Sequence, residues 1–420
     1  MAPKANKIKI KIRGFWRRQP KVEDNQPEVS GNQAGVENDQ PDAEAGPSNA
    51  GDREVDIRRR DKGKEVEVVE YTTDDDDVPV NDNIFCLLFN LATFGARLFK
   101  PRQHSQNIGC LVVTGHGYPI ELFDTLKSWN VSTVTRHYYE LPINRVHITY
   151  EKEDRMLRTL SHQDPPYAPV VRNLRGDLLL TGNVFHLACV PFVVTRQLRY
   201  LMQYRADIGL RGVPDVVWQP VHVKAVAEVT EDPKEQMNHA QTLECYRSVL
   251  PLVSAFMLSY QELGDIAGGV GYPLASEEQA VRNSVEILAQ TFPSNTIGII
   301  GDGVLIVCCE PFGYYYRQGK EKGWVKSYSQ YSDRKAIVDF TGGRTAFLGA
   351  FTVGLIDKIK LRESCLRGAV AASFAMEQFG LPILSWRHVM RGGNSANREF
   401  WNSDRALHRL RALRSINDQA

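Results

Sequence analysis

The sequence predicts an α/β domain, with α+β character, built on a mixed central sheet flanked by helices. A charged N-terminal tail precedes it and a helical C-terminal part follows. Three observations carry this expectation. Short apolar runs such as 109–115 and 303–309, bounded by glycine, read as strands. Segments with apolar residues at helical spacing alternate with them, for example 84–99, 193–204 and 277–290. The first 80 residues carry few large apolar side chains. The chain has 420 residues, 42% of them hydrophobic and 24% charged, a globular composition long enough for one large domain or two ordinary ones.

Residues 1–82 read as a disordered charged tail, and the basic clusters Lys7–Arg18 and Arg58–Lys64 suit nuclear import, nucleic acid or plain solvation. Within the tail, Val66-Glu67-Val68-Val69 followed by Asp74–Asp77 has the form of a SUMO-interacting segment, a short strand added to a partner's sheet edge. The N-terminus lacks an apolar signal core, and no run is long enough to span a bilayer. The seven scattered cysteines form no metal-ligand or disulfide pattern and read as reduced. These features predict a nuclear or cytoplasmic protein with no membrane association.

An α/β domain is expected over 83–350 and a helical C-terminal extension packed on it over 351–420. Ile84, Leu87, Leu88, Leu91 and Phe94 share one helical face. A strand over 109–117 leads into a helix through Glu121–Trp129. Strand-like runs VHITY, DLLLTG and VFHLACV flank a proline-rich loop, and Val193–Tyr204 is a helix with arginines among tyrosines, suited to nucleic acid or to an ordinary amphipathic surface. Helices are expected over Gln236–Val249 and Glu277–Gln290. Residues 295–311 read as two strands folded about Gly301-Asp302-Gly303. Helices over Ala346–Leu366 and Ala369–Phe379 follow, then a basic amphipathic helix capped by Asn402 or Ser403.

The candidate chemistry lies between Pro214 and Tyr246. Asp215 opens one apolar run, and Glu228 stands late in the next, where alternation places it with His222, Lys224 and Val226 on one strand face. Two carboxylates brought close together repel, and a hard divalent cation with oxygen ligands resolves that repulsion.

With its proline-aspartate pair, Glu228-Val229-Thr230 and a following helix with Gln236, Gln241 and Tyr246, the chain resembles the PD-(D/E)XK superfamily. The resemblance is nearest the nuclease-like domains associated with fungal-type protein kinases and Crinkler-like effectors, and it covers roughly residues 110–350. It implies a restriction-endonuclease-like fold and Mg²⁺- or Mn²⁺-dependent cleavage of DNA or RNA. Asp215 and Glu228 would be the metal ligands and Gln241 the contribution of the helix. An earlier acid is also implied, with Glu121 a candidate. Thr230 departs from the pattern, since the family has lysine there; Lys224 or Lys234 would have to substitute. The other reading is a catalytically degraded nuclease fold serving as a regulatory module that binds nucleic acid or protein. No protein-kinase loop set is present, and Asp339-Phe340-Thr341 alone does not stand for one.

Overall fold

Strands whose side chains are apolar on both faces need cover on both sides, and the molecule supplies it. In the computed structural model the described residues are 84–116, 118–142, 146–150, 157–162, 171–220, 239–269, 273–328, 337–391 and 394–419. In chain order the helices are α1 (Ile84–Leu98), α2 (Ile120–Ser128), α3 (Pro191–Asp207), α4 (His239–Val249), α5 (Tyr260–Ala267), α6 (Glu278–Leu288), α7 (Gly343–Ile356), α8 (Leu361–Ala375) and α9 (Ala406–Asp418). The strands are β1 (Gly109–His116), β2 (Ser132–Pro142), β3 (Val146–Tyr150), β4 (Leu157–His162), β5 (Val184–Cys189), β6 (Asp215–Pro220), β7 (Ala255–Ser259), β8 (Val304–Cys308), β9 (Tyr314–Gln318), β10 (Glu321–Val325), β11 (Leu384–Arg391) and β12 (Asn394–Trp401).

The central sheet runs β10-β9-β8-β7-β6-β5. Strands β5 to β8 are parallel neighbours in chain order, while β9 and β10 are added antiparallel. One face carries Val217, Ala255, Met257, Val304 and Ile306 against α1, α7, α8 and α9. The other carries Val216, Trp218, Phe256, Leu258, Leu305 and Val307 against α3, α4, α5 and α6. Alternate residues of each strand thus enter opposite cores, which is why the runs look continuously apolar. Consecutive right-handed crossovers between strands in chain order place their helices on one face, as α3 to α6 are placed.

The helical layer of α1 and α7 is unusually close. A Cβ at Gly95 would enter the carbonyl oxygen of Ala346, and one at Gly349 would enter that of Ala92. The two backbones therefore touch only because both positions lack a side chain. Near the end of α1, Phe94, Trp129 and Trp401 pack with ring centroids 5.1–6.0 Å apart. Buried Arg97 donates from Nε to the Trp129 carbonyl at 2.7 Å and pairs with Glu399 of β12. The C-terminal segment expected to pack on the domain shares its main core, through Phe351, Leu366, Val370, Trp401 and Leu410.

The mixed sheet between helices agrees with the sequence; its internal order does not. The hairpin expected over 295–311 contributes one strand only, β8. Residues 294–296 form a 3-10 turn, Gly298 and Gly301 take φ of 83° and 73°, and Gly303 N–H closes on the Ile297 carbonyl at 2.8 Å. The two glycines fold the run into a knot of turns instead of a strand. DLLLTG is likewise a 3-10 turn over Leu178–Thr181, because Asp177 accepts from the Leu179 N–H at 2.9 Å and competes with strand pairing. The long helix expected over Ala346–Leu366 is interrupted between Ile356 and Leu361, where Lys358 takes φ 52°, and the separate helix expected at 369–379 is the end of α8. Asn402 and Ser403 have positive φ and do not cap α9; its N-cap is Arg405. Arg409 of the basic amphipathic helix is buried between Glu377 and Asp404, with its guanidinium 3.6 Å from the Phe374 ring centroid. Strands β2, β4, β7, β9, β10, β11 and β12 were not expected. The tail (1–82), including Val66–Val69, lies outside the described residues.

Replacing Gly349 by alanine is expected to destabilise the protein by about 1–3 kcal/mol in urea unfolding, through overpacking of α1 against α7. Alanine at Gly212, where an added Cβ meets nothing within 4 Å, should shift stability by less than about 0.5 kcal/mol.

Candidate functional site

In a parallel sheet, loops leaving the carboxyl ends of the strands line the crevice in which ligands bind. Here that edge is formed by Cys189, Gln219, Ser259 and Cys308, at the ends of β5 to β8. The amino end of α7 meets it.

The approach to α7 is set by the loop Asp339-Phe340-Thr341-Gly342. Asp339 is buried and accepts from the Thr341 N–H at 2.7 Å, an Asx turn that reverses the chain. Gly342 follows with φ 83°, and a Cβ there would collide with Leu91 of α1. A β-branched or bulky residue would be excluded twice over, by conformation and by space. In the first turn of α7, the N–H groups of Arg344 and Thr345 take no acceptor among the described residues. Such N–H groups, with the helix dipole behind them, favour an anion.

Three side chains fix this terminus to the sheet. Gln219, buried near the carboxyl end of β6, donates through Nε2 to Thr345 Oγ1 at 3.0 Å, while its Oε1 is buried without a hydrogen-bond partner among the described residues. Glu262 opens α5 in a capping box: it receives the Ser259 N–H at 2.7 Å, and Ser259 Oγ receives the Glu262 N–H at 3.1 Å. Its carboxylate is also held by the Arg344 guanidinium, with side-chain exposures of 7% for Glu262 and 23% for Arg344. The pair therefore straddles the boundary between buried and wet. Burial alone would lower Arg344, but the Glu262 charge and hydrogen bond overcome it, and the guanidinium is held above its ordinary range.

The surroundings are apolar and hold neutral forms. His186 of β5 is enclosed at Nε2, which has no partner among the described residues, and burial lowers it to about 4 despite Gln219 alongside. Burial pushes the Cys308 and Cys189 thiols up to about 12. Cys308 lies within the field of both Arg344 and Glu262, which places the end of β8 at the same crevice. Burial and the Glu262 charge push the Tyr246 phenol far above its usual range, and its ring packs 5.2 Å from Trp218, so Tyr246 is a wall and not an acid. Glu310 accepts from Tyr314 and, at 3.0 Å, from Ser327.

Of the site residues expected from sequence, Asp215, Gln241 and Glu121 are among the described residues. Asp215 is exposed at the first position of β6, the opposite end from Gln219, and accepts from Ser254 Oγ at 2.6 Å. Glu228, Lys224, Thr230 and Lys234 lie outside the described residues, so their separation from Asp215 is not part of the structure. Gln241 is exposed on α4, and Glu121 is exposed in the first turn of α2. Among the described residues no three His, Cys, Asp or Glu side chains gather as a metal site. Sequence reasoning passed over Arg344, Thr345, Gln219 and Glu262. Two signals were available: Ser259-x-x-Glu262 directly after an apolar run, and the Asp339–Gly343 turn before the apolar α7.

No family model matches the chain. It is similar to an uncharacterised protein of Schizosaccharomyces pombe, 23% identical over 338 residues, covering 77% of this chain and 84% of that one. In structure it is similar to a putative ribokinase II from E. coli, with a TM-score of 0.50 and 14% identity over 81% of this chain and 90% of that chain. A ribokinase from Cryptococcus neoformans gives a TM-score of 0.47 at 18% identity, over 69% and 82% of the two chains. The E. coli likeness shows a ribokinase-like fold, so the restriction-endonuclease-like fold and the PD-(D/E)XK resemblance are corrected. The expectation of a nuclease, active or degraded, falls with them. The physical reason is visible in β6: a strand in the interior of a parallel sheet carries its opening aspartate away from the ligand edge.

Replacing Arg344 by leucine strands a buried carboxylate and should cost about 3–5 kcal/mol in chemical denaturation, whereas the Glu262→Gln/Arg344→Gln pair should recover most of that loss. His186 has a folded pKa below its unfolded value, so its contribution is full above pH 6.5 and is lost as pH falls toward about 4. Between those limits, stability of His186→Gln should depend on pH less steeply than wild type, by up to about one proton. Parallel slopes for the two proteins in pH-dependent melting would remove the buried neutral imidazole.

Proposed function

We propose that the protein binds a phosphate-bearing small molecule of the sugar or nucleoside class at the carboxyl edge of β5 to β8. One observation carries this reading: the α7 amino end presents the N–H groups of Arg344 and Thr345, which take no acceptor among the described residues, beside the partly exposed Arg344 side chain. A dianionic phosphate ester would receive hydrogen bonds from both N–H groups and a charge-assisted bond from Arg344. The ribokinase-like fold supports the sugar or nucleoside part of the proposal, because the E. coli neighbour is named as a ribokinase.

Binding is favoured over phosphoryl transfer by the state of the acids at the crevice. Transfer to a hydroxyl uses a carboxylate placed to accept its proton. Glu262 is engaged by Arg344 and Ser259, Glu310 by Tyr314 and Ser327, and Asp339 by the loop that starts α7. Mg²⁺ or Mn²⁺, expected from sequence, enters this reading only as the counter-ion that a nucleotide's phosphates would bring with them.

Calorimetric titration of the full chain with ribose 5-phosphate, ADP and ATP tests the proposal. Binding of at least one is expected, weakened roughly tenfold or more in the Glu262→Gln/Arg344→Gln protein, which loses a charge-assisted hydrogen bond. Equal affinity in wild type and variant, or no binding of any of the three, would refute it. Ribose-dependent release of ADP from ATP would replace the binding reading with a transferase.

A further inference from the structure

The β11–β12 hairpin is a two-stranded antiparallel sheet, and among the described residues neither of its outer edges pairs with a further strand. Its base is fixed. Trp401 is buried in the aromatic cluster with Phe94 and Trp129, Glu399 pairs with buried Arg97, and the Asn402 N–H reaches the Ile383 carbonyl at 3.0 Å. Away from that base the ribbon carries a costly arrangement: Arg387 stands directly opposite Arg398 in the register. Like charges facing each other across an antiparallel pair repel. Neither arginine has an acidic partner among the described residues, and Glu399, the acid adjoining Arg398, is already taken by Arg97.

We propose that this ribbon is a docking strand for an acidic peptide segment, which adds in extended form along a free edge and sets its carboxylates against Arg387 and Arg398. The free edge supplies main-chain hydrogen bonds, and the arginine pair supplies the selection for acid. Charge alone would also suit a nucleic acid, but the aromatic surface argues against one. Base stacking needs an open ring face. The exposed Trp386 ring is covered by the Arg102 guanidinium at 5.0 Å, and the Phe400 ring by Arg387 at 4.8 Å. Arginines on an edge also discourage self-association of open strands; that role needs no ligand, and the experiment separates the two.

The full-length protein is titrated into a fluorescein-labelled peptide of four Glu-Val repeats, with a Lys-Val peptide and an oligouridylate as the other arms, read by anisotropy. Saturable binding of the Glu-Val peptide is expected, with neither other ligand bound as tightly. Arg387→Ala/Arg398→Ala should weaken it by about tenfold or more, as loss of paired charge-assisted contacts does. The same double variant should melt no lower than wild type, since it removes a repulsion, and this shows that any loss of binding is not loss of fold. Binding unchanged in the double variant overturns the proposal, as does absence of binding to the Glu-Val peptide. Preferential binding of oligouridylate overturns it in favour of a nucleic-acid surface.

Discussion

The Glu262–Arg344 pair joins two layers that the rest of the fold keeps apart. Glu262 belongs to α5, on the face of the sheet shared with α3, α4 and α6, whereas Arg344 belongs to α7, on the face shared with α1, α8 and α9. The sheet lies between these layers everywhere except at its edge, and the pair closes that edge. A cation in the first turn of a helix is unfavourable by itself, because the dipole there is already positive. The glutamate offsets this, and it is placed by its own capping box with Ser259, so the two helix starts specify each other. Desolvation makes such a pair a weak source of net stability, but removing either partner alone is expensive. Its effect is to fix geometry: the α7 amino end cannot drift from the ends of β6 and β7.

That geometry needs α7 to lie close to α1, and the glycines at 95 and 349 permit it. A small-residue contact between two apolar helices leaves almost no trace in periodicity, since α7 is apolar nearly all round and buried over Gly343–Gly354 apart from Arg344. The sequence showed that an apolar helix was present. It did not show where the helix ended, because the break between α7 and α8 at Lys358 involves neither proline nor glycine. Amphipathic helices such as α6 were legible nearly to the residue. Their one-sided pattern is a local property, whereas the ends of a fully buried helix are set by tertiary contacts.

Strands divided in the same way. Of the runs buried on both faces, β1, β6 and β8 were legible as apolar blocks, whereas the short β7 was not. The ribbons β9–β10 and β11–β12 were not, because β9 buries Tyr314, Tyr315 and Tyr316 in succession, and arginine or lysine interrupts the alternation of β10, β11 and β12. The glycine-rich 298–303 segment has the composition of a tight hairpin. What it lacks is a preceding partner strand, since the chain arrives there from α6 and enters β8 alone. Composition identifies a turn; it does not identify what the turn connects.

The same distinction bears on how Asp215 and Gln219 read in the sequence. A carboxylate at a strand terminus looks alike in sequence whether it stands at the amino or the carboxyl end, because burial and apolarity are symmetrical along a strand. Direction becomes meaningful only when neighbouring strands are known to be parallel: then all crossover helices begin at one edge, and their positive ends converge there. Asp215 precedes its apolar run and so falls at the edge where helices finish. Gln219 and Ser259 close theirs and fall where helices start. In a sheet of parallel neighbours, a polar residue that follows an apolar block therefore carries more functional information than one that precedes it. Ser259-Tyr260-Gln261-Glu262 is the instance here, since the capping signal and the strand end coincide at the residue that holds Arg344.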